Sequence, residues 1–530
     1  MDREQLTEIR ATAMRDNTNI LNEGAFKAAW AVAPAQRPAD VPDSMIEPVP
    51  ELPNPWQRDP ITHKLITSLH ENDRQFQKNA TCREYPRTDL GNSQRFVLRH
   101  GLILRYCHPS GSWYIFDGQR WKKDDQGLIW ELAKDTTLRI ADEAGVVTGA
   151  TEQREMFKWA GSSQGKSKIA SMIDLARSTL PILPDEMDTN PDLLNFPNGT
   201  MDLQDFSFHT ARRDDLITKV TGCTYDPLAT CPKWEKFLDT IMAGNWDLIT
   251  YLQRAAGYSL TGHTGERVLF LCHGGGANGK STFLNVLLGV FHEYGMAVEA
   301  ATFCVSRSDS VRNDLAALKG ARFVIATEAG KGKRLDEGII KKLTGGGDKV
   351  RARFLFHEEF EFQPECKIWW GFNSAPRITD STDSIWNRVK MIPFSVVIPE
   401  SERDKHLQEK LAEEMPGIMN WMLSGLREYY RIGLAEPKEV KCATEEYRDE
   451  QDNLADFFAD RCIVEPGAIV GATELYNEYT QWMSWQAPEE KVKSPRTFGF
   501  EMGDRQFKKG RNKRTKRKEY TGIRLKKAGE

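Results

Sequence analysis

Nine consecutive residues, Gly274-Gly275-Gly276-Ala277-Asn278-Gly279-Lys280-Ser281-Thr282, follow the pattern G-x-x-x-x-G-K-[ST]. Glycines let a backbone curl until its N–H groups converge on phosphate oxygens, and a helix N-terminus adds its positive end. The surroundings fit that chemistry. Val268-Leu269-Phe270-Leu271-Cys272 reads as a buried strand upstream, and Phe283 to Leu288 as the first turns of a helix downstream. The pattern in this setting predicts binding and hydrolysis of a nucleoside triphosphate such as ATP. Lys280 would reach the β- and γ-phosphates, and Ser281 would hold Mg²⁺ through its hydroxyl.

Hydrolysis also needs a carboxylate at the end of a neighbouring strand, to polarise water and complete the Mg²⁺ shell. Arg322-Phe323-Val324-Ile325-Ala326-Thr327-Glu328 supplies an apolar strand ending in an acid, about fifty residues beyond Lys280. In isolation Glu328 would read as a solvent-facing glutamate, but this position favours a catalytic base and Mg²⁺ partner. Lys367-Ile368-Trp369-Trp370-Gly371-Phe372-Asn373 is a third such strand. Asn373 there suits the orienting of the attacking water or the sensing of the γ-phosphate. Arg388 stands before a fourth apolar strand, Val389 to Phe394. An arginine lent by a neighbouring subunit stabilises transition-state charge; the plainer alternative is a surface ion pair.

The elements that must position these groups can be outlined from composition. A chain of 530 residues, 40% hydrophobic and 28% charged, is too long for one core. Five segments are expected: a helical segment and proline-rich linker over 1–60, a mixed and helical domain over 61–225, the P-loop ATPase over 226–400, a helical lid or connector over 401–449, and a basic module over 450–530. The linker assignment rests on eight prolines between Pro34 and Pro60. No apolar run approaches the ~18 residues that span a bilayer, and the N-terminus leads into no signal core, so a cytoplasmic, membrane-free protein is expected. Nine scattered cysteines without a C-x-x-C argue against a zinc ribbon and against a disulfide framework. Residues 505–530 hold twelve Lys/Arg against two Asp/Glu, on a chain of net charge −4. That basic end points to a polyanion, most often nucleic acid. Gly161-Ser162-Ser163-Gln164-Gly165-Lys166-Ser167 imitates a second P-loop but is one residue short between its glycines, and no strand precedes it. It reads as a polar connection into a helix.

Taken together, Gly274–Thr282, Glu328, Leu343-Thr344-Gly345-Gly346-Gly347-Asp348, Asn373-Ser374-Ala375-Pro376 and Trp386-Asn387-Arg388 resemble superfamily 3 helicases. More narrowly, the chain resembles the phage/plasmid primase–helicase group that includes satellite-phage and poxvirus types. Asp89-Leu90-Gly91-Asn92 with Arg95, Trp113 to Trp121, and Leu194 to Leu203 resemble the domain preceding these motors. The resemblance implies a multidomain α/β fold: an AAA+-like P-loop core, an N-terminal mixed/helical domain and a C-terminal winged-helix-like module. It further implies a ring, usually a hexamer, around single-stranded nucleic acid, moving 3′→5′. Lys280, Ser281, Glu328 and Asn373 would act in cis and Arg388 in trans, with ATP and Mg²⁺ between subunits.

A hairpin between the glutamate and asparagine motifs grips the strand in this family. Here Lys349 to Phe360 alternates like two strands turning near His357-Glu358-Glu359, and Lys349, Arg351, Arg353 and His357 are the candidate DNA contacts. Thr473 to Trp482, then Ser494 to Phe500, then the run containing Lys508, Lys509, Arg511, Lys513 and Arg514, read as helix, helix and basic wing. The roughly sixty residues before the motif-bearing middle are too short for a primase–polymerase. A helicase without primer synthesis is therefore expected, acting on single-stranded and forked DNA in a phage-infected bacterial cytoplasm, with a separate primase as a candidate partner. Two rivals remain: an ATP-regulated DNA-binding initiator or loader without processive unwinding, and a P-loop kinase, against which Asn373, Arg388 and the basic module weigh.

Overall fold

The computed structural model describes residues 77–305, 312–327, 333–353, 359–373, 375–378, 383–451, 453–486, 492–505, 507–511 and 517–527. The expected N-terminal helical segment and linker lie outside the described residues, as do Glu328, His357, Lys513 and Arg514.

Helix α1 (Asp89–His100) begins where Thr88 caps it, its hydroxyl accepting from Gly91 N at 3.1 Å. A Cβ at residue 91 would lie 1.8 Å from Pro86 O, so glycine is required there. Strands β1 (Leu104–Cys107), β2 (Ser112–Phe116) and β3 (Trp121–Lys123) form an antiparallel meander. Asp117 makes the β2–β3 turn by accepting from Gln119 N and Arg120 N, both at 2.9 Å. Helices α2 (Leu128–Glu143), α3 (Ala150–Ser163) and α4 (Lys166–Ala176) pack on these elements. Their interior holds a charged knot in which the buried Glu143 pairs with Arg95 at 2.9 Å and Arg99 at 3.1 Å. Removing one partner of such a knot strands a buried charge and costs about 3–5 kcal/mol. The P-loop imitation over 161–167 is the α3–α4 junction, with helix rather than strand before it.

A three-stranded antiparallel sheet, β4 (Leu193–Phe196), β5 (Gly199–Asp202) and β6 (Phe208–His209), and helices α5 (Pro232–Ile241) and α6 (Trp246–Leu260) lead into the largest sheet. Strand β7 (Leu269–His273) runs into α7 (Lys280–Phe291), followed by β8 (Gly295–Glu299), β9 (Phe323–Thr327) and α8 (Glu337–Leu343). After a hairpin of β10 (Val350–Arg353) and β11 (Glu359–Phe362) come β12 (Lys367–Phe372) and β13 (Val389–Pro393). Strands β13, β7, β12, β9 and β8 lie side by side in that order, all parallel. Parallel strands are covered on both faces, which is why they read as unbroken apolar runs. All six residues of β12 are buried. Trp369 stacks on Phe270 at 4.4 Å on one face, while Trp370 meets Phe303 on the other.

Within the helical connector expected over 401–449 lie a short helix at 407–412 and α9 (Met415–Ile432). Helix α9 crosses α6 at Gly257 and Gly425, where a Cβ would meet backbone at 2.3 and 2.0 Å respectively. Helix α10 (Lys438–Glu450) lies on β13, with Thr444 Oγ1 accepting from Met391 N at 3.0 Å. The last elements are α11 (Asn453–Arg461), β14 (Cys462–Gly471), α12 (Ala472–Gln486), α13 (Pro495–Asp504), β15 (Lys508–Arg511) and β16 (Lys518–Leu525). Their antiparallel sheet has β16 in the middle, over a core of Phe457, Tyr479, Trp482, Phe498 and Tyr520. The chain is therefore mixed α/β, with one parallel sheet and flanking helices. No helix among the described residues is long and apolar enough to cross a membrane.

Candidate active site

The glycine-rich loop joins β7 to α7, and a few positions dictate its shape. Gly276 and Gly279 take φ of 100° and 78°. A Cβ at 279 would also meet Ile241 Cγ2 of α5 at 2.5 Å, so that position has room for glycine alone. Buried Asn278 ties the loop to the exit of β13, its Nδ2 donating to Phe394 O at 3.0 Å. Among the described residues, the N–H groups of Gly275 to Gly279 meet no acceptor. They gather at the N-terminus of a twelve-residue helix. Such a donor set suits a chain of phosphate oxygens.

Lys280 is the first residue of α7 and is 5% exposed. Its Nζ donates to Gly274 O at 3.0 Å, Phe372 O at 2.7 Å and Asn373 Oδ1 at 3.0 Å. The ammonium thus joins the C-terminal ends of the adjacent strands β7 and β12, and brings Asn373 to the loop. Ser281 follows with its side chain exposed, and Thr282 is half-buried. Thr327, the last residue of β9, lies opposite Gly371 at this same edge of the sheet. A hydroxyl at 281 and an ammonium at 280, beside loop N–H donors that have no acceptor among the described residues, are the groups that could hold a Mg²⁺-bound triphosphate.

Arg388 stands apart from this group. Val389 pairs with Leu269 at the start of β7, and Leu269 N donates to Arg388 O at 2.8 Å. Arg388 therefore lies at the N-terminal edge of the sheet, roughly 16 Å along the strands from the loop. Its half-buried guanidinium donates from Nε to Thr344 Oγ1 at 3.1 Å and from Nη1 to Ser384 O. Burial, and then the nearby Arg267, lower its pKa. Asn278 was expected only as one of the phosphate-loop residues, without its tie to β13, and Thr344 was given no role. The signal was present in both cases, since each belongs to a motif quoted above and Thr344 is the only hydroxyl in its glycine-rich run.

The hairpin corrects one expectation. Strand β11 begins at Glu359, which pairs with Arg353, so residue 359 is not in the turn. Lys349, Arg351 and Arg353 are exposed, as alternation required. Glutamates face two of them: Arg351 meets Glu361 at 3.2 Å, and Arg353 is in register with Glu359. In the last module Lys508, Lys509 and Arg511 form β15 and are all exposed.

With this geometry in place, comparison with known proteins is informative. Residues 93–243 match the family described as "D5 N terminal like", and residues 272–388 match a "Family of unknown function (DUF5906)". The second match runs from the end of β7 to Arg388, the interval that holds every motif residue of the loop and sheet edges. The chain is 27% identical over 423 residues to "Putative helicase L207/L206" of Acanthamoeba polyphaga mimivirus, covering 70% of this chain and 43% of that protein. It is 24% identical over 342 residues to "Putative helicase 184R" of Invertebrate iridescent virus 6, covering 57% and 35%. To "Putative helicase V13" of Sputnik virophage it is 26% identical over 202 residues, covering 34% and 26%. The chain thus spans less than half the length of these curated relatives. A solved structure of the NrS-1 C terminal region (305–718) aligns with 79% of this chain and 96% of its own, at 11% identity and a TM-score of 0.43. The two family matches and the viral relatives named putative helicases are consistent with the resemblance to the satellite-phage and poxvirus type of primase–helicase.

Proposed function

We propose that this chain is an ATP-driven superfamily 3 DNA helicase motor, working in replication of a phage or related mobile element inside the host cell. In this reading the parallel sheet is an AAA+-like core, subunits close into a ring, commonly a hexamer, and the ring moves 3′→5′ on a single strand. The observation that carries the proposal is the split of the motif residues between opposite edges of one sheet. Lys280 and Asn373 meet at one edge, while Arg388 is held at the other, where its own loop is out of reach. A head-to-tail ring would bring the Arg388 edge of one copy to the loop of the next.

ATP would supply the phosphoanhydride whose cleavage drives movement, and Mg²⁺, held by Ser281 and Glu328, would supply charge neutralisation at its phosphates. The loop N–H groups would hold the phosphate chain, and Lys280 would exchange its carbonyl partners for phosphate oxygens. Ser281 would offer its hydroxyl to the metal, and Glu328 would take the proton of the attacking water. Asn373, released by Lys280, would orient that water, and Arg388 of the neighbouring copy would meet the charge that develops on the transferred group. The last module would act as a winged-helix-like nucleic-acid contact, supported by its helix–strand–helix–helix–strand–strand order. One observation favours the second reading, an initiator or loader: glutamates facing Arg351 and Arg353 reduce the hairpin's pull on a strand.

Displacement of a strand from a forked DNA duplex with a free 3′ tail separates the two. ATP-dependent displacement by the unmutated chain, absent with Lys280→Ala, is the expected result. An assembled, ATPase-active chain that displaces nothing would favour the loader.

A further inference from the structure

We propose that the last module grips a nucleic-acid duplex through the phosphate backbone with its β15–β16 hairpin, and that helix α13 does not read bases. This rests on the nucleic-acid reading above and specifies how one part of the chain would engage its partner.

Charge is distributed unevenly within the module. From Lys508 to Lys518 eight of eleven residues are Lys or Arg and none is acidic. Lys508, Lys509, Arg511, Arg517 and Lys518 are exposed. Helix α13 has one basic residue, Arg496, against Glu501 and Asp504. Glu501 is itself buried and bound to Lys493 at 2.5 Å. Gly499 lies against the sheet, where an added Cβ would be 3.3 Å from Lys509 Nζ and 3.4 Å from Tyr520 Oη. A helix with that surface has little to offer base edges, which are read by bidentate Arg, Asn or Gln contacts.

Register supplies an independent observation. Arg511 is directly opposite Lys518, and Lys509 opposite Tyr520, which places Lys509, Arg511 and Lys518 on one face of the ribbon. Like charges directly opposite one another destabilise a strand pair. The hairpin β10–β11 avoids this by opposing Arg351 with Glu361 and Arg353 with Glu359. Exposed cations gathered along one short ribbon are what a polyanion would engage.

Two features favour a duplex over a single strand. Unpaired bases are held by stacking on exposed aromatics. Among the described residues of this hairpin the aromatic is Tyr520, which is 2% exposed, and the neighbouring Phe507 packs on Phe458. A duplex also presents twice the phosphate density along its axis, which rewards a rigid cation cluster most. The contact would then be indifferent to sequence.

The test uses the full chain, labelled blunt DNA duplexes of two unrelated sequences, an RNA duplex and a single strand, with binding followed by anisotropy across salt concentrations. Arg511→Glu should weaken both DNA duplexes equally, by about tenfold, and make the salt dependence shallower by about one to two in slope. Its melting temperature is measured alongside and should stay within a few degrees, because position 511 is exposed. Arg496→Ala should change affinity less than twofold. Loss of binding by Arg496→Ala, discrimination between the sequences, tighter binding of the single strand, or indifference to Arg511→Glu would each overturn the proposal. Equal use of the RNA duplex would support backbone recognition by charge; rejection of it would overturn that recognition in favour of DNA groove geometry. Single-strand-stimulated ATPase of the unmutated chain is read separately. Its absence would sink the motor reading while the hairpin result stood.

Discussion

The two edges of the parallel sheet treat their cations in opposite ways. At the C-terminal edge Lys280 is buried and bonded to two carbonyls and to Asn373, so its position is determined from within one chain. At the N-terminal edge Arg388 is only half-buried, hung from Thr344 and the Ser384 carbonyl, with Arg267 close by. A third cation sharpens the contrast. Lys367 begins β12 at that same N-terminal edge, yet it is 1% exposed and donates to the carbonyls of Thr261, His263 and Glu365. The N-terminal edge can therefore bury a basic side chain completely, and it does not do so with Arg388. The difference is what the proposed shared site requires: one edge finished by its own chain, the other left for a neighbour to complete.

The comparison can be broken at either end. The largest effect is expected from Arg388→Ala, which should lower ATP turnover of the assembled protein by roughly 10³-fold or more while nucleotide binding persists. If turnover survives, Arg388 is a structural residue and the contrast between edges loses its meaning. Lys280→Ala should lower turnover by roughly 10²–10³-fold and weaken nucleotide binding as well, which a fluorescent-nucleotide titration would detect. Thr344→Val sharpens the contrast, because it removes the acceptor that orients Arg388. A loss of about 2 kcal/mol in transition-state stabilisation, read as kcat with KM little changed, is expected; an unaltered kcat would mean that Thr344 serves only α8.

Lys367 gives the smallest and most specific test. Burial, and then Arg322, push its ammonium down to about 7. The folded chain then holds the neutral amine above that pH while the unfolded chain stays protonated up to about 10.5. Stability contributed by this group is present at high pH and is lost as pH falls toward 7. Between pH 7 and 8.5 the unmutated chain should gain up to about 1.4 kcal/mol per pH unit relative to Lys367→Met, as followed by denaturant midpoints. Parallel pH profiles would mean that the three carbonyls keep the ammonium charged.

Much of this arrangement was legible in the residues. Strands β7, β9, β12 and β13 were readable because burial on both faces demands uninterrupted apolar runs, and two candidate residues beyond their ends, Lys280 and Asn373, do meet. The α3–α4 junction was separable from a true phosphate loop because no strand preceded it. Other features were hidden because they depend on pairings between distant segments. Nothing local to Glu143 reveals that it neutralises Arg95 and Arg99 across 48 and 44 residues. The alternation over Lys349–Phe360 indicated two strands, but the register decided that Glu359 would face Arg353 rather than sit in the turn. Opposite edges of the sheet could not be told apart for Arg388 by sequence spacing alone. That distinction comes from the parallel pairing of β13 with β7.

The central claim is that two copies build one site, and mixing two inactive variants tests it most directly. Lys280→Ala retains Arg388, and Arg388→Ala retains the loop, so a ring containing both has some interfaces with every group intact. Mixed in equal amounts and allowed to assemble, they should recover up to about a quarter of the unmutated ATPase, the fraction of intact interfaces in a random head-to-tail ring. Recovery near zero in demonstrably mixed rings would contradict the account and return Arg388 to its own chain.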